Sequence, residues 1–252
     1  MQGYSEGFAY IYNMRWTHFV ADMAPRIQAF YEATATGATD RHLLDIACGT
    51  GQLALYFLDH GYEVVGLDLS PAMLAHARTN AAAYVKAGKA RFVEGDAAAF
   101  TFTERFGLVV STFDALNHLP SLEALTGCFQ STFDVLASGG WFIFDLNTRF
   151  GLQRWAGINV QEEEDLVLIT RGVVMENECR AYTQISGFLR EDDGRYRRFG
   201  QTAYNTIFDM DAVAAALKSA GFQDVSFVQG HDLATPIDDP ETYGRIFVVA
   251  RK

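Results

Sequence analysis

Residues 43–51, Leu-Leu-Asp-Ile-Ala-Cys-Gly-Thr-Gly, constrain this chain more than any other stretch. An apolar strand pattern runs into Asp45 and then into a turn containing Gly49 and Gly51, and a helical pattern starts at once at Gln52. Glycine admits positive φ and lets a ligand approach the backbone within contact distance. The helix N-terminus behind the turn offers N–H groups to an anionic group. Strand, glycine turn and helix in this order open a β-α unit. Asp45 sits where a dinucleotide-binding strand stays apolar, and a carboxylate there suits a ligand with a positive charge or ammonium donors beside the turn. Gly49–Ala54 also fits the loose G-x-G-x-x-A fingerprint of nicotinamide and flavin enzymes, so the glycines alone leave the cofactor open.

The pattern that begins there continues. Apolar strand runs at 43–47, 62–67 (ending at Asp68), 90–94, 108–112 and 141–146 alternate with helical ones. Gln52–His60 is closed by Gly61. Ser70 caps a helix with Pro71 in its first turn that extends to about Lys86. Ser121 opens an amphipathic helix with Leu122, Leu125, Phe129, Phe133 and Leu136 at helical spacing, closed by Gly139-Gly140. Such repeats imply a parallel sheet covered on both faces, with right-handed crossovers. A helix over Asp211–Ala220 and two last strands, about 223–229 and 245–250, follow. The expected fold is therefore α/β: a doubly wound, Rossmann-like, mostly parallel seven-stranded sheet with an antiparallel last strand. Between strand five and the last helix, β-like runs at 164–175, 179–191 and 195–208 predict an inserted antiparallel meander, with turns at Glu176-Asn177 and Asp192-Asp193-Gly194.

One domain is expected over 1–252: a helical cap at 1–40, a cofactor-binding core at 41–148, the β insertion at 149–208, and a C-terminal helix with edge strands at 209–252. Phe8, Ile11, Tyr12, Trp16, Phe19, Ile27, Phe30 and Tyr31 suggest cap helices packed on the sheet. The net charge of −11 argues against nucleic acid or an anionic membrane surface as partner and favours a small-molecule substrate. The three cysteines, Cys48, Cys128 and Cys179, are odd in number and widely spaced. They favour reduced thiols in a cytoplasmic protein, with no disulfide framework and no metal site. The first residues lack the basic and apolar regions of a secretory signal, and no apolar run reaches the roughly 18 residues of a membrane span. Oligomeric state is not legible.

Ligands of open α/β sheets bind beyond the C-terminal strand ends. Three successive strand ends here carry acids. Asp45 and the glycine turn suit the methionine end of S-adenosylmethionine. Asp68, 19 residues beyond Gly49, can accept both ribose hydroxyls, in that ligand or in NAD. Asp96, followed by Ala97, can accept from an adenine amino group. Strand four ends at Ser111-Thr112-Phe113-Asp114, beside the methyl end. A nicotinamide enzyme would use the turn and Asp68 but leave Asp45 and Asp96 without roles. A non-catalytic adenosyl-binding protein would keep the motifs and lack an acceptor pocket.

Asp45-Ile-Ala-Cys-Gly-Thr-Gly, Gly66-Leu-Asp-Leu-Ser-Pro-Ala-Met-Leu74 and Gly95-Asp-Ala97 resemble the first three motifs of class I S-adenosylmethionine-dependent methyltransferases. Phe8–Asn13 and Asp114–Leu119 resemble a bacterial subgroup that includes aminosugar N-methyltransferases, and Ala220–Val225 is similar to the ending of many such enzymes. The resemblance implies that Asp45, Gly49 and Gly51 hold the methionine part and Asp68 the ribose. Leu69 and Met73 would line the adenine, with Asp96 and Ala97 at its edge. Tyr12 would close over the cofactor. Ala47, Cys48 and Thr50 complete the turn, and Thr112 and Phe113 face the methyl end. Ala47 departs from the glycine common at this position in the wider superfamily. Cys48 reads as a small residue, not a nucleophile.

Methyl transfer from a sulfonium is an in-line displacement in which positioning supplies much of the catalysis. A base is needed where the acceptor must lose a proton. His118, after strand four, is the leading candidate for orienting or deprotonating the acceptor, with Asn117 second. Asp145 and Asn147 end strand five and read as caps of the chain's exit from the sheet. No Asn-Pro-Pro-Tyr sequence follows strand four, which weighs against amino methylation of nucleobases or glutamine.

Overall fold

The computed structural model describes residues 6–15, 18–191 and 193–252. Trp16 and Asp192, named above, lie outside them. The main sheet has its strands in the order β11-β10-β12-β5-β4-β1-β2-β3. Five run parallel: β1 (His42–Ile46), β2 (Glu63–Asp68), β3 (Ala90–Glu94), β4 (Phe106–Ser111) and β5 (Leu136–Asn147). Strand β12 (Arg245–Arg251) pairs antiparallel with β5 over its whole length and with β10 (Gln223–Gln229) on its other side. The strand order reverses between β1 and β4, and a cleft opens there beyond their C-terminal ends.

Apolar side chains alternate to the two faces of the parallel strands. Leu44 and Ile46 join Phe129, Phe142, Phe144 and Leu217 under α6 (Leu122–Val135) and α8 (Met210–Ala220). Leu43, Val64, Leu108 and Ile143 pack on the opposite face beneath α2 (His18–Glu32), α3 (Gln52–Asp59) and α4 (Pro71–Asn80). The helix starts follow their caps: the Ser70, Ser121 and Asp209 side chains accept from the N–H groups of Met73, Ala124 and Ala212.

Five features differ from the sequence reading. The main sheet has eight strands, not seven, because Asp232–Pro236, between the two last strands read from the sequence, forms the edge strand β11 through a hairpin at Gly230-His231. Pro236 is tolerated because it lies at the end of an edge strand. The meander has four strands: β6 (Gly157–Glu162) precedes β7 (Leu166–Met175), β8 (Arg180–Arg190) and β9 (Tyr196–Thr206). Every residue of β6 is exposed, so no burial alternation marks it. Gly139 and Gly140 lie inside β5 rather than closing α6, with Gly139 at φ 73°. The helix from Pro71 breaks at Ala81 and resumes as α5 (Ala82–Lys86).

The fifth is the N-terminal helix α1 (Glu6–Arg15). Its Phe8 and Ile11 pack not on the main sheet but between Met73 of α4 and the meander residues Leu166, Leu168, Ile185 and Phe199. Asn13 ties it to the cofactor-side helices, accepting from Gln52 Nε2 at 3.2 Å and Asn80 Nδ2 at 2.8 Å. Helix α1 thus straps the four-stranded sheet to the parallel one. No helix among the described residues is long and apolar enough to cross a membrane.

Candidate active site

A cavity of about 840 Å³ lies between the strand ends and the inner face of the four-stranded sheet, under α1. Its floor is the turn after β1. Ala47, Gly49 and Gly51 all have positive φ there, at 56°, 54° and 77°. A left-handed alanine is strained where glycine would not be, which explains the glycine usual at position 47. Asp68 fastens this turn: Oδ2 accepts from the Gly49 N–H and Oδ1 from the Ser70 N–H, both at 2.8 Å. Burial pushes the Asp68 carboxyl up, while those backbone donors pull it down. A side chain on Gly66 would strike Phe92 and Cys48, so the β2 backbone is held close against the turn.

Asp45 is 2 % exposed, and its Oδ2 has no partner. Thr50 Oγ1, in the same turn, is likewise buried and unpartnered. Both residues border a second, small cavity of about 30 Å³, shared with Cys48, Tyr12, Thr112 and Phe113. Burial, reinforced by the nearby Asp68, raises the Asp45 carboxyl well above its ordinary range. Burial also raises the Cys48 thiol, which leaves it an unreactive thiol. Buried polar atoms without partners carry a large desolvation cost, so these two oxygens ask for donors from a ligand.

The cavity brings together eight of the candidates named from sequence: Tyr12, Ala47, Gly49, Asp68, Met73, Thr112, Phe113 and His118. Asp45, Cys48 and Thr50 border the small cavity beside it. Five stand back from both walls. Gly51 caps α3, Leu69 is half-buried, and Ala97 is packed in the core. Asp96 accepts from its own Ala98 N–H at 2.9 Å. Asn117 is wholly buried: Nδ2 donates to the Asn147 and Thr206 carbonyls, and Oδ1 accepts from the Asn147 N–H. With its hydrogen-bonding capacity spent on backbone, Asn117 is a brace, which corrects its reading as a catalytic candidate. It locks the one-turn helix Ala115–His118 to β5 and β9. His118 Nδ1 lies 2.7 Å from the Tyr204 carbonyl. A carbonyl only accepts, so Nδ1 carries the proton and a neutral ring has its lone pair on Nε2.

The far wall was not legible. Arg245 of β12 donates to Asp114 Oδ1 at 2.6 Å and to Asp145 Oδ2 at 2.7 Å. Asp114 Oδ2 accepts from Asn205 of β9. Trp155, Glu163, Thr170 and Thr183 complete it from the insertion. These residues are far apart in sequence, and only strand pairing joins them.

Asp145 is fully buried, and burial pushes its carboxyl from 3.8 up to about 6, against the pull of Arg245. A carboxyl raised in the folded state stabilises the fold only while protonated. That contribution is lost as pH rises from about 4 to about 6, a change of about 3 kcal/mol. Asp145→Asn should abolish this slope. Urea denaturation of both proteins from pH 4 to 7 should shift the stability difference steadily in the variant's favour. Parallel curves would refute the assignment.

Comparisons with known proteins point to a methyltransferase. A family model described as a methyltransferase domain matches residues 43–140. The putative methyltransferase YqeM of Bacillus subtilis is 28% identical over 221 residues, covering 86% of each chain. The dTDP-3-amino-3,4,6-trideoxy-alpha-D-glucopyranose N,N-dimethyltransferase of Streptomyces venezuelae is 27% identical over 194 residues, covering 75% of this chain and 77% of the relative. Among solved structures, CalS10 with bound S-adenosylmethionine, an amino pentose methyltransferase from Micromonospora echinaspora, superposes with a TM-score of 0.71 at 25% identity, covering 100% and 98% of the chains. A methyltransferase from Clostridium acetobutylicum shares the fold at a TM-score of 0.81 and 20% identity, covering 97% of both chains.

Proposed function

We propose that this chain, an S-adenosylmethionine-dependent methyltransferase whose residues 43–140 match the methyltransferase-domain model, methylates an amino group on a small, polar, sugar-sized acceptor, with His118 receiving the nitrogen's proton. The observation that carries the reading is the His118 ring, fixed in the cavity wall by Tyr204 with its lone pair on Nε2. Two relatives support it: an N,N-dimethyltransferase named for an amino sugar and a methyltransferase named for an amino pentose.

S-adenosylmethionine is the cofactor. The residues present fit it: two buried, unpartnered oxygens meet the need of its ammonium end for acceptors. In this reading Asp45 holds the ammonium, and the turn of Gly49 and Gly51 the carboxylate. Asp68 takes the ribose, and Met73, with Leu69, Asp96 and Ala97 behind it, the adenine side. Bound, the cofactor supplies an electrophilic methyl group on a sulfonium that departs as a neutral thioether. Tyr12, whose ring a β-carbon on Gly49 would meet at 3.7 Å, covers the turn. Thr112 and Phe113 shape the methyl end. His118 takes a proton from the acceptor nitrogen, and Asn117 and Tyr204 hold its ring in place.

We further infer that residues 41–148 serve the cofactor and the insertion at 149–208 serves the acceptor. A cytoplasmic location is supported by three unpaired thiols, two of them buried. The net charge of −11 disfavours nucleic acid as acceptor. Calorimetry should detect micromolar or tighter binding of S-adenosylmethionine and S-adenosylhomocysteine, with no heat from NADH. Incubation with amino-sugar acceptors should then release S-adenosylhomocysteine. Release with alcohols alone would overturn the amine assignment.

A further inference from the structure

Two carboxylates share one guanidinium at the back of the cavity. Asp114 and Asp145 both accept from Arg245, and Asp145 Oδ2 also accepts from the Asp114 N–H at 2.9 Å. One carboxylate would balance Arg245; the second leaves one net negative charge in a low-dielectric site. Asp145 Oδ1 has no partner there. Arg245 is the only arginine or lysine of the cavity wall among the described residues, and it is committed: it lies over the rings of Phe19 and Phe113, at 5.1 and 5.4 Å. The backbone is strained at the same place, with Phe113 and Asp114 both left-handed at φ 66° and 51°. Strain of this kind persists where the surroundings enforce it, and here it turns Asp114 into the cavity.

We propose that the acceptor half of the cavity selects cations: the acceptor enters as an ammonium, Asp114 is the carboxylate that receives it, and acceptors that also carry an anionic group bind more weakly. The proposal rests on the amine reading above and adds what that reading lacks, a residue that sets acceptor charge. Asp114 reaches its position through Arg245 and Asn205, so one of its oxygens is fixed from β12 and the other from β9. The second lone pair of each oxygen is the capacity offered to the ammonium. The one other cation this charge could serve is the sulfonium of the methyl donor. S-adenosylhomocysteine lacks that sulfonium, so the two ligands separate the cases.

The test is calorimetry on the full chain saturated with S-adenosylhomocysteine, at neutral pH, with three matched probes: D-glucosamine, D-glucose and D-glucosamine 6-phosphate. The ammonium should bind about tenfold more tightly than the neutral sugar, the scale of one charge-assisted hydrogen bond, and the phosphate most weakly. Asp114→Asn should bring glucosamine down to the level of glucose while leaving S-adenosylhomocysteine affinity unchanged. The ranking in the unmodified protein stands by itself should that variant fail to fold. A flat ranking, including one in which no probe binds at millimolar concentration, overturns the proposal. So does a folded Asp114→Asn that keeps its glucosamine affinity, or one that weakens S-adenosylmethionine alone. Methyl transfer to amines alongside a flat ranking would sink this inference and spare the amine reading. Selective ammonium binding without transfer to any amine would do the reverse.

Discussion

Asp68→Ala is expected to lower the affinity for S-adenosylhomocysteine by about a hundredfold or more, with the fold intact by circular dichroism. Each carboxylate oxygen of Asp68 already accepts one backbone N–H, and each has a lone pair left for a ribose hydroxyl. Hydrogen bonds to a charged group contribute roughly 1.5–3 kcal/mol each, so losing two costs several kcal/mol of binding. The substitution also frees the Gly49 and Ser70 N–H groups, loosening the turn that presents the site. Asp68→Asn keeps the shape and loses the charge, and one of its atoms donates where a carboxylate accepts. It should fall between the two. Unchanged affinity in the alanine variant would remove Asp68 from the ribose site.

His118→Ala should lower kcat about 10²-fold at saturating acceptor, the scale of general acid–base catalysis, with little change in cofactor affinity. The ring is held at one end by the Tyr204 carbonyl, itself in β9, while Asn117 anchors the turn that carries it. The loss should come with a change in the shape of the pH–rate profile, which a merely structural role would leave unaltered. Raising the pH so that the acceptor amine arrives neutral should narrow the gap between variant and wild type. Wild-type kinetics across the pH range would assign His118 to structure alone.

What the sequence revealed and what it hid follow from distance along the chain. The glycine turn, Asp68 and the Ser70 cap are local: their spacing is set within one β-α unit, and position 45 reads as polar in an apolar strand. His118 was found because strand ends face the cleft in this architecture. Asn117 was misjudged because adjacency to His118 does not disclose which way a side chain points; on a one-turn helix the two diverge, one into the protein and one toward the cavity. Strand β6 gave no signal because nothing buries it, and its order comes from pairing with β7. Arg245 and Asp114 are separated by 131 residues, so only the register of β12 against β5, with Arg245 opposite Asn147, brings them together.

The position of β12 bears on how the protein is made. Latest of the strands in chain order, it fills an interior slot between β5 and β10. The hairpin of β10 and β11 therefore has no seat on the sheet until residues 245–251 arrive. On the ribosome, the half that carries the cofactor motifs emerges well before the strand that supplies Arg245. Domains gain their structure as units during synthesis, and a sheet waiting for an interior strand exposes unpaired edges meanwhile. A stalled or clipped product would keep the glycine turn yet lack the guanidinium that holds Asp114 in place. The acceptor site is thus complete only once residues 245–251 have joined the sheet.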